Sequence, residues 1–244
     1  LICRQSRNID IWTSCPDELD NYARTGLRAV FELPRRLVEF KSHNFKPPSI
    51  LHTSREAREI GLNNYSLEFG LEILEKQGRA QFRLSIPSRV YVNWKCDTIC
   101  PIAPANEEDV VLYELEQRAS QLQSVAFDED KLRLAFRLLA SIGSRSLREM
   151  IIYWVPALES ERIFRDFDAK APFNLNFIPF EEFNFADGES YTAAADALQN
   201  AEDRLVEHME AISKVREEHG EKRISDPALK FRILETSAMK VDSH

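Results

Sequence analysis

Apolar and polar positions change period several times along the chain, and each change marks an element. Asp17 to Ala29 follows Pro16 with an acidic first turn, and Leu19, Tyr22, Ala23 and Leu27 recur near helical spacing, which predicts a short helix. Arg36 to Lys41 alternates in part and reads as a strand with one buried face. Pro47-Pro48-Ser49 then starts a helix that should run to about Tyr65, since proline is tolerated in a first turn and serine caps free amides. Gln81–Ile86, Arg89–Trp94 and Thr98–Ile102 are short, rich in β-branched and aromatic residues, and separated by turn-forming residues. They predict a small antiparallel meander.

Beyond residue 102 the pattern becomes helix and strand in alternation. Glu107–Gln121 reads as a helix, Ser124–Phe127 as a strand and Asp128–Leu139 as a helix with Leu132, Ala135, Phe136 and Leu139 on one face. Arg148–Val155 is apolar almost throughout, as in a strand covered on both sides. Strand, helix, strand in that order predicts a parallel right-handed crossover, and the core is expected there. Residues 172–188 carry Phe173, Phe177, Phe180, Phe183 and Phe185 between prolines and Asp187-Gly188, and read as an aromatic loop. Residues 189–220 form a long acidic helix with Ala194, Leu198, Ala201, Leu205, Met209, Ile212 and Val215 along one stripe. A β-prone piece at Leu229–Leu234 follows Pro227 and could add an edge strand. Together these elements predict one α+β domain over residues 1–244, with a meander, a strand-helix-strand unit and a long C-terminal helix.

Charge separates the chain into two parts. Residues 1–100 hold 15 Lys+Arg against 12 Asp+Glu, net +3, whereas residues 101–244 hold 17 against 28, net −11. An acidic surface repels phosphate backbones, so nucleic acid is not expected as a partner. The 4 cysteines are too sparse for a disulfide-stapled secreted scaffold, and no signal peptide or membrane-length apolar run stands out. A cytoplasmic or nuclear location is expected, away from membranes.

The stretch Pro47-Pro48-Ser49-Ile50-Leu51-His52-Thr53-Ser54-Arg55-Glu56-Ala57-Arg58, continuing through Tyr65 and Phe69, resembles the fungal two-EXR domain family, named for two Glu-x-Arg motifs. Pro34-Arg35-Arg36-Leu37-Val38-Glu39 upstream and Tyr91-Val92-Asn93-Trp94 with Asp97-Thr98 downstream are similar to its flanking strand and hairpin. The resemblance is fullest over residues 34–102. The family's first motif lies in a helix ending Ile-Trp, and its counterpart here is Gln5-Ser6-Arg7 before Ile11-Trp12, with glutamine in place of glutamate. In the family that motif is similar to the opening of an F-box helix, which implies a protein-interaction module, and no cofactor.

Catalytic motifs are absent from the sequence. It has no Gly-x-Ser-x-Gly elbow, no His-Glu-x-x-His helix and, with 7 glycines, no phosphate-binding loop. Cys96 and Cys100 are spaced C-x3-C, wider than the usual paired zinc ligands, and read as packing residues; no metal is expected. Arg55, Glu56 and Arg58 carry the family motif, and ion pairing to a neighbouring element is the expected role. Phe177, Phe180 and Phe183 are the candidate interaction surface, because aromatic residues dominate binding hot spots. The expected function is an intracellular protein-interaction module with an unidentified protein partner, and the resemblance implies an F-box-like adaptor. The alternative is an enzyme whose site is assembled from residues distant in sequence.

Overall fold

The computed structural model describes residues 7–14, 39–42, 47–77, 80–102, 108–142, 146–156, 173–220 and 226–238. The helix expected at Asp17–Ala29 lies outside them. The fold is α+β, a mixed sheet with helices and a long C-terminal helix.

The first strand, β1 (Asn8–Ser14), is set by strict alternation: Ile9 and Ile11 enter one core cluster and Trp12 another. This segment is extended where the family resemblance implies a helix. A 3.6-residue period would have left Asp10 and Trp12 on different sides, whereas in the strand the indole Nε1 of Trp12 donates to Asp10 Oδ2 at 2.6 Å. β2 (Glu39–Lys41) pairs antiparallel with β1.

The helix expected from Ser49 to Tyr65 is two helices, α1 (Ile50–Thr53) and α2 (Arg55–Leu62). Ser54 divides them: its backbone is extended, and its hydroxyl accepts the Ala57 amide at 3.1 Å as an N-cap. Gly61 lets α1 and α2 close on each other, since a Cβ there would stand 2.6 Å from Leu51 Cδ2.

The expected meander is not formed, because its three strands pair elsewhere. β3 (Ser66–Glu68) pairs with β6 (Val90–Val92), and β4 (Leu71–Gln77) with β5 (Ala80–Ile86) in a separate hairpin. β7 (Thr98–Pro101) joins the main sheet beside β1, parallel to it. Its residues are buried throughout, which suits a central parallel strand better than a solvated meander.

After α3 (Glu108–Gln117), β8 (Ser124–Asp128), a 3-10 turn (Glu129–Lys131), α4 (Leu132–Ile142) and β9 (Glu149–Trp154) form the expected crossover, with β8 and β9 parallel neighbours. β10 (Phe173–Pro179) is a strand where an aromatic loop was expected; Phe177 lies within it, a 3-10 turn (Phe180–Glu182) follows, and only residues 183–187 are loop. α5 (Gly188–Glu218) is the long helix, capped by Asp187, whose carboxylate accepts the Ser190 amide at 2.6 Å. β11 (Ala228–Ala238) is not an edge strand: it lies between β9, parallel, and β10, antiparallel. Insertion there gives both its faces apolar neighbours, with Ile233 on one and Leu234 on the other.

The resulting sheet has the order β10-β11-β9-β8-β7-β1-β2. Five parallel strands follow one another in a single direction, so right-handed crossovers place α3, α4 and α5 on the same face. Leu112, Leu115, Leu138, Leu198 and Leu205 from these helices pack there with Ile99, Val125, Phe127, Met150 and Ile152. The opposite face carries Trp12, Cys100, Ala126, Ile151, Tyr153, Leu175 and Leu234, all buried. This face is concave. In a flat sheet β10 and β1 would stand roughly 24 Å apart at ordinary strand spacing. Instead they are in contact, and Asn8 Nδ2 donates to the Leu175 carbonyl at 2.8 Å. The six strands from β10 to β1 therefore curl into a nearly closed trough around the second core.

Candidate functional site

Arg55, Glu56 and Arg58 are all exposed on α2. Glu56 sits in the first turn, and hydrogen bonds from its own amide and from Ser54 hold its carboxyl below the ordinary range. The motif thus serves its own helix start, and the structure brings none of the three to another element among the described residues.

The arginine of the upstream segment is engaged instead. Arg7 Nε and Nη2 donate to Asp97 Oδ1 and Oδ2 at 3.1 and 2.5 Å, and Nη2 also reaches the Tyr91 carbonyl at 2.9 Å. Asp97 is fully buried and additionally accepts the Asn93 amide at 2.8 Å, while the guanidinium lies 5.1 Å from the centre of the Tyr65 ring. This clamp joins the start of β1 to the turn before β7. Arg118 builds a second: it pairs with Glu68 at 2.8 Å and Glu114 at 2.5 Å and lies over the Phe69 ring. Phe69 holds a left-handed backbone, φ 60°, a conformation that costs a non-glycine residue about 1–2 kcal/mol. Ring contacts with Phe40 and Trp94 and nearly complete burial offset that cost.

Cys96 and Cys100 do not come together as ligands. Cys96 lies in the turn and Cys100 is buried inside the trough, where desolvation first and then the Asp10 charge push its thiol well up. A thiol so placed is unreactive.

Phe180, Phe183, Phe185 and Tyr191 form a ring cluster at the edge of the core. Phe180 stands 5.2 Å from Phe185 and 5.1 Å from Tyr191; Phe185 stands 4.9 Å from Phe183 and 5.3 Å from Tyr191. Phe180, Phe183 and Phe185 rest on the core from its edge and remain half-buried, and Tyr191 is 50% exposed. Phe177 is separate: it stacks 5.2 Å from Tyr153 inside the trough. The structure thus assembles Phe180 and Phe183 with Phe185 and Tyr191, and sends Phe177 elsewhere. Alternation along β10 accounts for that, since Leu175 and Phe177 point to one side. The rim is acidic. Glu181, Glu182, Asp187 and Glu189 are exposed around the rings, and no Lys or Arg occurs from residue 171 to 203.

At the carboxyl end of β8, Asp128, Glu129 and Asp130 bring carboxylate oxygens within 4.8 Å of one another. Burial first, then the hydrogen bond and charge of Asp128, push the Glu129 carboxyl up to about 9. Tyr153 faces Asp128 across the β8–β9 ladder. Desolvation, followed by the charges of Asp128, Cys100 and Glu129, raises its phenol well above the ordinary range.

No family model matches the chain, and no curated protein or solved structure matches it. Among the described residues no helix is long and apolar enough to cross a membrane.

Proposed function

We propose that this chain is an intracellular protein-interaction module that docks a basic segment of a partner protein on the Phe180–Phe183–Phe185–Tyr191 cluster. The observation that supports this reading is the cluster itself: four rings interlocked at 4.9 to 5.3 Å, left part-exposed, with the exposed acids Glu181, Glu182, Asp187 and Glu189 beside them in the chain. Ring faces attract Lys and Arg through their quadrupole, by about 0.5–1 kcal/mol each at an exposed site. The rim carboxylates add a long-range pull that raises the association rate and weakens with salt. Because the rings already hold each other in place, little side-chain entropy is lost on docking. The resemblance to the two-EXR family, with its F-box-like implication, agrees with an interaction role. The same acidity argues against nucleic acid as the partner.

Fluorescence anisotropy with a labelled Lys/Arg-rich peptide and a Glu-rich control tests the proposal. Micromolar binding of the basic peptide, weakening as salt rises, is expected. Tyr191→Ala should reduce affinity about tenfold, and Glu181→Gln with Glu182→Gln should flatten the salt dependence. Tyr191 is half exposed, so its removal leaves the fold intact, which circular dichroism checks. Equal binding of both peptides, or unchanged binding by Tyr191→Ala, would refute it.

A further inference from the structure

We infer that the C-terminal half of α5 and the start of β11 form a groove that docks an amphipathic helix of a partner protein, one whose apolar stripe is flanked by Lys and Arg.

The groove follows from the length of α5. The helix has 31 residues, or roughly 46 Å at 1.5 Å per residue, but its buried stripe ends at Leu205. Beyond that point Met209 and Ile212 are only half-buried, and Val206 is 43% exposed. Val206 and Met209 stand beside Pro227 and Leu229, where the chain enters β11, and these four side chains give an open groove of about 470 Å3 its apolar lining. That volume lies within the range of ligand-binding clefts. A small molecule is not the occupant that fits, because sites for such ligands bury most of the ligand's surface and an open groove does not. An occupant gains contact here by lying along α5, where Val206 to Glu217 spans roughly 16 Å, about three helical turns.

Charge decides the kind of segment. Glu210 and Glu217 of α5 and Asp226, just before β11, line the same groove, with Lys214 the single cation among the lining residues. All four are exposed, and among the described residues none of the three carboxylates has an ion-pair partner. Three unpaired carboxylates against one ammonium select a cationic partner and repel an acidic one. The apolar lining takes side chains such as Leu or Met between those charges. A helix meets both demands: it satisfies its own backbone, presents apolar residues at i, i+3 or i+4 and i+7, and carries Lys or Arg beside them. The groove is separate from the aromatic cluster, since Tyr191 lies roughly 22 Å before Val206 along α5.

Fluorescence anisotropy with a labelled helical Leu/Lys peptide, and a Leu/Glu peptide of equal length, tests the inference. The full chain carrying Tyr191→Ala is used, so that the aromatic cluster does not contribute and its failure is read separately. Micromolar binding of the Leu/Lys peptide is expected. Val206→Arg should weaken it at least about tenfold, and Glu210→Gln with Glu217→Gln should reduce its salt dependence. Val215→Arg is the matched control: Val215 is also exposed, but its nine-residue offset places it half a turn around the helix, so binding should not change. Both valines are at the surface, so both variants keep the fold, which circular dichroism checks. No binding in this background, equal binding of the two peptides, or equal losses in the two valine variants would each overturn the groove.

Discussion

Single residues carry much of this fold through charge pairs that are closed on both sides. Asp97 has no exposed side-chain surface and depends on Arg7 and the Asn93 amide. Asp97→Ala strands the arginine and frees the turn, so a loss of about 2–4 kcal/mol is expected from urea denaturation midpoints, somewhat less than for a fully buried pair because Arg7 is 25% exposed. Glu68 gives a pH signature. Burial opposes ionisation, but hydrogen bonds from Ser66, Arg118 and Trp94 and the Arg118 charge outweigh it, so its folded pKa is lowered. Stability from this group is then fully present above the unfolded value, near 4.5, and is lost as pH falls through the lower folded value. Melting temperatures measured from pH 6 downward should drop more steeply below about pH 4.5 in wild type than in Glu68→Gln. Neither clamp was legible in the sequence, where Arg7 and Asp97 are ninety positions apart. The motif that was legible, Glu56 with Arg58, is solvent-facing, because a two-residue step on a helix cannot present both side chains to one neighbour.

Elements were legible wherever a period persists. α5 is the clearest case: Ala194, Leu198, Ala201 and Leu205 are buried at the expected spacing, and the stripe then runs out, leaving Val215 54% exposed. Leu205→Ala should cost about 2–5 kcal/mol, whereas Val215→Ala should stay within about 0.5 kcal/mol, a contrast that chemical denaturation resolves. The break between α1 and α2 was harder to see, since serine inside an apolar run reads equally as a helix residue or as a cap. Gly61 marks where those two helices meet. Gly61→Ala improves intrinsic helix propensity but forces a methyl into Leu51, so a net loss of about 1–3 kcal/mol is expected in thermal melts. The hairpin of β4 and β5 was predicted only in its second strand, and the partner of each strand depends on contacts that alternation does not encode.

At the scale of the whole molecule, the sequence indicated the class and the crossover but not the curvature. Alternation assigns each strand two faces without saying which other strand they meet. The contact between Asn8 and Leu175 spans 167 positions, and it is this closure that turns one sheet face into a second core. The aromatic cluster was half foreseen, since the phenylalanines are adjacent in sequence while Tyr191 enters from the next helix.

The placement of β11 has a consequence for how the chain is made. β10 pairs only with β11 among the described strands, and β9 shows it its free edge. During synthesis both edges are therefore exposed until residues 228–238 leave the ribosome, and the trough cannot close before then. A chain stopped at Pro227 should be trapped by chaperones or aggregate, and limited proteolysis of stalled chains should show protection arriving late and all at once.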